Sequence, residues 1–436
     1  MFAHLRKLQE IADANGGNRA EGTPGFTASI DYVSQQLRDK GFDVQTPEFE
    51  RLGPTHGGNP NVMVAGRRFA AIQASLLKTT PAGGLKAPTL RPARLAGCAT
   101  ADYAGRSMAG AIAVVDDTGC SIVVKQNIAL KQGAVGLLVI SVARPSPVGL
   151  FTAGYFRQLT VPVGIIDRAT DAALLKTTAP VQLTLDSQTD LITSRNVVAQ
   201  TKTGSSSDVV LVGAHLDSIA RAPGINDAGT GVAAVLETAR QLGSSPRIAN
   251  AVRFVFWGAE ETGQEGATQY VDALSADQLA DIAMYLNFDS IGSVNPGYFT
   301  YDGDQSAKVS ATPVPDGSAG IERALSGYLS LAGVRPADMP LGEATDYHPF
   351  LAAGVPVGGI TTGTAQRKTA IQARLWGGKS GAPFDPNYHT PRDDIDNVDP
   401  HALSIVGPVV AQTVGAYAQS IDGPNGVPAR DKRHRG

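Results

Sequence analysis

Two histidines and a set of carboxylates, most of them near the end of an apolar run, are the residues in this chain whose types could do chemistry together. His215 and Asp217 follow the run Val209–Val212, and Asp227 comes ten residues after Asp217 in the Gly-rich turn GINDAGTG. Glu260 and Glu261 follow VRFVFW, Asp289 follows MYLNF, and His389 lies far downstream in the polar loop FDPNYHTPRDD. Mixed imidazole and carboxylate ligation suits zinc, with manganese and cobalt as alternatives. Five candidate ligands (His215, Asp227, Glu261, Asp289 and His389) exceed what one catalytic zinc uses. They point to two metals about 3.5–4 Å apart, the spacing of two-metal hydrolases. Glu260 is left beside them without a structural task, free to move a proton. Asp217 is either a turn cap or the carboxylate that fixes the tautomer and orientation of His215.

Residues so scattered converge only if the run ends are aligned, and a parallel sheet aligns them. Val209–Val212 is β-branched and apolar enough for a strand buried on both faces, and a helix starting at Val232 follows its loop. The runs 252–257, 284–288 and 356–360 read as further strands, and chemistry in open α/β sheets sits at such carboxyl ends. Leu5, Leu8 and Ile11 at helical spacing, and a second amphipathic pattern from Thr27 to Lys40, predict two opening helices, followed by an edge strand over Phe42–Phe49. Two helical segments after Glu261, a helix over 318–331, and a long one over 400–421 kinked at Pro408 complete the pattern. The expected class is α/β: a mixed, mostly parallel sheet flanked by helices.

The pieces VGAHLDS, GINDAGTG, VRFVFWGAEETG, YLNFDSIGS, TDYHPF and YHTPRDDIDN, in that order, resemble the M28 family of zinc aminopeptidases, and EGTPGFTASIDYVSQQLRDKGFDV resembles that family's opening helix and strand. The resemblance implies a zinc-exopeptidase fold and two zinc ions per chain. It assigns His215 and Asp289 to one zinc, Glu261 and His389 to the other, and Asp227 to both. It implies hydrolysis of the N-terminal peptide bond of peptides or proteins by a hydroxide bridging the metals, with Glu260 as general base and the Tyr388 hydroxyl stabilising the oxyanion. Relatives often favour large apolar N-terminal residues. Three positions depart from the family pattern. A disulfide that brackets the Tyr-His loop in many secreted members is replaced here by Asn387 and Arg392, and the residue after the bridging Asp, usually Asn or Asp, is Ala228. Relatives hold that last peptide bond cis, so Asp227–Ala228 is expected to be cis as well.

Between about Phe69 and Ser194 short β-rich runs (AIAVVDD, VGLLVIS, VPVGIID, VQLTLD) alternate with turns, one helix is expected near 122–132, and no catalytic constellation appears. The stretch LAGCATADYAGRSMAGAIAVVDDTGCSIVVKQNIALKQGAVGLLVIS resembles the protease-associated (PA) domain, which M28 aminopeptidases often carry as an insertion. That implies a discontinuous peptidase domain of 1–68 plus 195–425, an inserted PA domain over 69–194 with a lid or substrate-access role, and a disordered Gly/Pro/basic tail over 426–436. Cys98 and Cys120, the only cysteines, both lie in the insert. They could be two buried thiols, but the resembling PA domains are secreted and pair cysteines at these positions, so a disulfide is expected. Closing that loop contributes about 3 kcal/mol in the chain-entropy model.

The net charge of −3 gives no reason to expect nucleic acid or an anionic membrane as partner, and an apolar fraction of 42% with 18% charged residues is that of an ordinary globular protein. No stretch reads as a signal peptide or a transmembrane segment. With the implied disulfide, the expectation is a secreted or cell-envelope protein whose export or lipoprotein signal has been removed, acting as a monomer. His4, His56, His348, His401 and His434 read as ordinary surface or core residues, with His348 near the site by family position. Gly378-Lys379-Ser380 lacks the rest of a phosphate-binding loop, and there is no HExxH for a single-zinc helix. Two rival functions stand. One is another reaction on the same fold: a glutaminyl cyclase keeping one zinc, or a carboxypeptidase gripping a terminal carboxylate with Arg221 or Arg392. The other is a non-catalytic, receptor-like binding protein, which would be expected to have lost ligands.

Overall fold

The computed structural model describes residues 1–143, 149–152, 154–307 and 310–433; His434 lies outside them. The chain forms two compact units, Met1–Arg51 with Thr193–Gly436, and Leu52–Ile192. The boundary falls earlier than the sequence reading put it. Residues 52–68, expected in the peptidase unit, belong to the insert because Asn61–Val64 and Arg67–Ala70 pair with each other, and Asn61–Val64 pairs also with Val181–Thr184.

The first unit is built on eight strands: β1 (Val44–Gln45), β2 (Val197–Gln200), β3 (Ser205–His215), β4 (Asn250–Trp257), β5 (Ile282–Phe288), β6 (Phe299–Tyr301), β7 (Ala337–Met339) and β8 (Val357–Thr361), in sheet order β1-β2-β4-β3-β5-β8-β6-β7. The four central strands run parallel. Alternation along each strand feeds two cores, as expected when both faces of a sheet are covered. Val210, Val212 and Ala214 of β3, Phe254 and Phe256 of β4, and Leu286 and Phe288 of β5 face one core. There they join α1 (Phe2–Ala14), α2 (Pro24–Arg38), α3 (Gly231–Leu242), α4 (Ser318–Leu331) and α5 (Pro400–Gln419). Leu211, Val255, Trp257 and Tyr285 face the other, with Ala267, Phe350 and Leu351.

Several elements differ from expectation in length. β3 begins at Ser205 and ends on His215 itself, so the first candidate ligand is the last residue of a strand. The strand expected over 42–49 shrinks to β1, and a separate strand, Glu48–His56, follows it. α5 contains Pro408. The tail is also more ordered than expected. Val427 is buried, and Arg433 donates to Asp208 Oδ1 at 2.6 Å, Ala280 O at 2.8 Å and Ser207 O at 3.0 Å, so the described part to Arg433 is fastened to the first unit.

The second unit has a five-stranded sheet, mainly parallel, and a four-stranded antiparallel one. Its helix Ile122–Lys131 starts on a Ser121 side-chain cap. Cys98 and Cys120 are disulfide-bonded with Cα atoms 5.9 Å apart. Among the described residues no helix is long and apolar enough to cross a membrane.

Candidate metal centre

Strand register brings the site together. His215 pairs with Trp257 across β3 and β4, and Gly213 with Asn287 across β3 and β5. Glu260 and Glu261, three and four residues past Trp257, and Asp289, one past Phe288, therefore emerge on the rim where His215 ends its strand. After β3 the loop 216–224 turns back, and Gly224 takes a positive φ of 65° where an added Cβ would meet Asp227 O at 2.7 Å. The bend delivers Asp227 to the same rim. The Asp227–Ala228 peptide is cis, as expected. Ala259, Ser290 and His389 also adopt positive φ, a conformation that costs a non-glycine residue energy and clusters at functional sites.

All five candidate ligands meet there, as two triads sharing one carboxylate. His215 Nε2 lies 3.3 Å from Asp227 Oδ1 and 3.6 Å from Asp289 Oδ1. His389 Nε2 lies 3.1 Å from Asp227 Oδ2 and 3.0 Å from Glu261 Oε2. Each oxygen of Asp227 thus faces a different imidazole. Ligand-type atoms of His215, Asp227 and Asp289, and of Asp227, Glu261 and His389, lie within 4.8 Å of one another in each set. His389 Nε2 and Asp227 Oδ2 are buried without an aligned hydrogen bond despite their closeness. Buried polar atoms are nearly always satisfied, so a pair orphaned at the centre of a ligand set fits a cation between them. The charge balance agrees: Asp217, Asp227, Glu260, Glu261, Asp289 and Asp346 crowd around His215, His389 and Arg19.

The surrounding electrostatics follow from that crowding. Burial, together with the charges of Asp346, Asp289 and Asp217, pushes the Glu260 carboxyl well above its ordinary range. Burial also raises Glu261, to about 7. Burial opposes ionisation of Asp227, yet the imidazoles of His215 and His389 beside its two oxygens hold it well below the usual carboxylate range. Burial and the nearby carboxylates push the Tyr388 hydroxyl far above its usual value, and its ring stacks on His389 at 3.9 Å between centroids.

Asp217 orients the site differently from the expectation. His215 Nδ1 meets the backbone carbonyl of Asp217 at 3.1 Å, while the Asp217 carboxylate stands 3.9 Å away from that nitrogen. The carboxylate accepts instead from the backbone N–H of Glu260 at 3.1 Å and of Glu261 at 3.2 Å. One residue therefore sets the tautomer of His215 through its main chain and the glutamate turn through its side chain. His348 lines a surface groove with Thr268, Val271 and Asp272.

Four supporting residues had no reading in the sequence. Arg19, fully buried, donates to Pro223 O at 2.9 Å, to Gly224 O at 2.6 Å and to Leu216 O, and its own N–H reaches Ser218 Oγ at 2.9 Å. Asp393 accepts from the backbone N–H of Asn226 at 2.8 Å and of Asp227 at 3.2 Å. Asp385 accepts from Asn226 Nδ2 at 2.7 Å. Asp346, also fully buried, has neither carboxylate oxygen hydrogen-bonded. It follows Thr345, which ends a chain of hydrogen bonds running from Trp257 through Tyr285 and Asn287. The quoted motifs held signals for Asp346 (TDYHPF) and Asp393 (YHTPRDDIDN); a lone Arg in a polar turn carries none.

Comparison with known proteins agrees with this geometry. The family model described as Peptidase family M28 matches residues 196–414, and the PA domain model matches residues 85–174. A probable lipoprotein aminopeptidase, LpqL, of Mycobacterium tuberculosis is 47% identical over 447 residues, spanning all of this chain and 88% of that protein. An aminopeptidase of Pseudomonas aeruginosa is 36% identical over 418 residues, spanning 92% of this chain and 77% of that one. Among solved structures, the zinc aminopeptidase BSAP of Bacillus subtilis superposes with a TM-score of 0.55 at 23% identity over 97% of both chains, a likeness of fold.

Proposed function

Since the chain belongs to peptidase family M28 and carries a PA domain, we propose that this metallo-aminopeptidase holds two zinc ions and releases N-terminal residues from peptides with a free amino terminus. The observation that carries the reading is the division of Asp227, one oxygen toward His215 and the other toward His389. His215 and Asp289 would hold one zinc, His389 and Glu261 the other, and Asp227 both. Bound there, zinc supplies Lewis acidity, lowering the pKa of water and polarising a carbonyl.

The remaining roles belong to the chain. Glu260 is no member of either ligand triad, and its Oε2 lies 3.9 Å from His215 Nε2. It takes the proton from the attacking water and passes it to the leaving amine. Asp217 keeps Glu260 and Glu261 in register by holding both backbone N–H groups. Tyr388, whose hydroxyl stays protonated at neutral pH, donates to the oxyanion. The crowded carboxylates favour a substrate's α-ammonium, which directs cleavage to the first peptide bond. The disulfide and the lipoprotein relative support a secreted or cell-envelope location.

The test is hydrolysis of a panel of aminoacyl-nitroanilides with and without chelator and added zinc, alongside N-acetylated and C-amidated peptides. Blocking the amino terminus should abolish turnover; turnover of N-blocked peptides would make the enzyme a carboxypeptidase. Glu260→Gln should reduce kcat by about 10²–10⁴-fold while metal content stays at two per chain, and retained activity would remove Glu260 from its role.

A further inference from the structure

Arg221 is a cation tied to the main chain of His389, one of the residues of this acidic rim. It stands in the exposed turn of the loop after β3, and its Nε donates to the backbone carbonyl of His389 at 3.1 Å. Among the described residues no carboxylate approaches the Arg221 guanidinium within 4.0 Å, whereas His389, whose carbonyl it holds, faces Asp227 and Glu261. The tether occupies Nε, and among the described residues neither terminal nitrogen has a protein partner. A guanidinium fixed by one edge offers its other two N–H groups as a fork, the shape that grips a carboxylate through two parallel hydrogen bonds.

We propose that Arg221 is a specificity-determining residue that binds the C-terminal carboxylate of short peptides, so that di- and tripeptides are preferred substrates. The inference rests on the aminopeptidase reading. The site is polarised: carboxylates at the centre face the substrate's ammonium, and Arg221 faces the solvent end. In a peptide of two or three residues the two termini are separated by about 7–10 Å of extended chain. Arg221 is one hydrogen bond from the main chain of His389, whose ring belongs to the second candidate triad, and that covalent path bounds how far the guanidinium can lie from it. A longer peptide places its carboxylate beyond this reach and gains nothing from the residue.

The experiment compares kcat/KM for leucylglycine and leucylglycinamide in the zinc-loaded full chain, for the parent protein, Arg221→Ala and Arg221→Lys. The parent should favour the free acid roughly threefold to tenfold, the worth of a partly exposed charge-assisted pair, and the difference should lie in KM. Arg221→Ala should bring the acid-to-amide ratio close to one, and Arg221→Lys should restore part of it. A parent ratio near one overturns the proposal. So does an Arg221→Ala protein that keeps the parent ratio, even if its rates fall on both substrates, because Arg221 then serves only to steady His389. Failure of the aminopeptidase reading looks different: the parent would hydrolyse neither leucylglycinamide nor leucyl-p-nitroanilide.

Discussion

Replacing Arg19 with alanine should loosen the loop on which two of the candidate ligands depend. The guanidinium is fully buried and donates to three carbonyls of one loop, those of Leu216, Pro223 and Gly224. Burial lowers its pKa to about 10, opposed by Asp217, Asp393, Asp227 and Glu261, so it is charged throughout the neutral range. Truncation strands three buried acceptors, each costing about 1–3 kcal/mol if left unsatisfied, and removes a cation from among carboxylates. These terms share one site and do not add, so the loss comparable to breaking a buried ion pair, about 3–5 kcal/mol, is expected. At about 2–4 °C per kcal/mol for a large unit, that is a fall in Tm of roughly 6–20 °C. Scanning calorimetry reads it directly. Arg19→Lys keeps the charge but cannot span three carbonyls with one ammonium, and should recover less than half. The loop joins His215 to Asp227, so zinc-supported hydrolysis should fall with it. An Arg19→Ala protein melting within about 2 °C of the parent would show that water satisfies these carbonyls and that the clamp is idle.

Two further outcomes follow from residues away from the metal centre. Burial lifts the Glu322 carboxyl from 4.5 to about 7, where it accepts from the backbone N–H of Gly303 and Asp304. The folded state therefore holds that proton where the unfolded chain has lost it, and the group's contribution to stability declines as pH rises from about 4.5 to 7. Glu322→Gln should flatten that part of the Tm–pH curve, and an unchanged slope between parent and variant would count against it. Replacing Cys98 and Cys120 together with serine should destabilise the insert by about 3 kcal/mol, given the 22-residue separation. Urea melts followed by circular dichroism measure the loss, and an unchanged midpoint would refute it.

What could be read in the sequence was whatever punctuates an apolar run. His215, Glu260, Glu261 and Asp289 stand at the ends of strands buried on both faces, and polar residues there have no packing reason to exist. His389 had no such frame and rested on family order, as did the sharing of Asp227. The rest was hidden because its partners are distant. Arg19 sits 197 positions from the Leu216 carbonyl it binds, and one arginine in the turn NGGNRAEG has no period to betray it. The boundary at Arg51/Leu52 was missed for a different reason. Asn61–Val64 and Arg67–Ala70 are four-residue strands, too short to show alternation, and only their pairing partners reveal which sheet they join. The tail was misjudged on composition: Gly, Pro and basic residues suggest disorder, but Arg433 finds Asp208 and two carbonyls.

The missing staple on the Tyr-His loop has its replacement in Asp393. Four residues beyond His389, it holds the backbone of Asn226 and Asp227, and Arg221 ties the His389 carbonyl. The segment bearing His389 is thus latched by hydrogen bonds to the carboxylate between the two imidazoles. A thiol reductant would open the cystine of the insert and leave this latch untouched, so the hydrolytic centre keeps its geometry across a redox boundary that the inserted unit does not ignore.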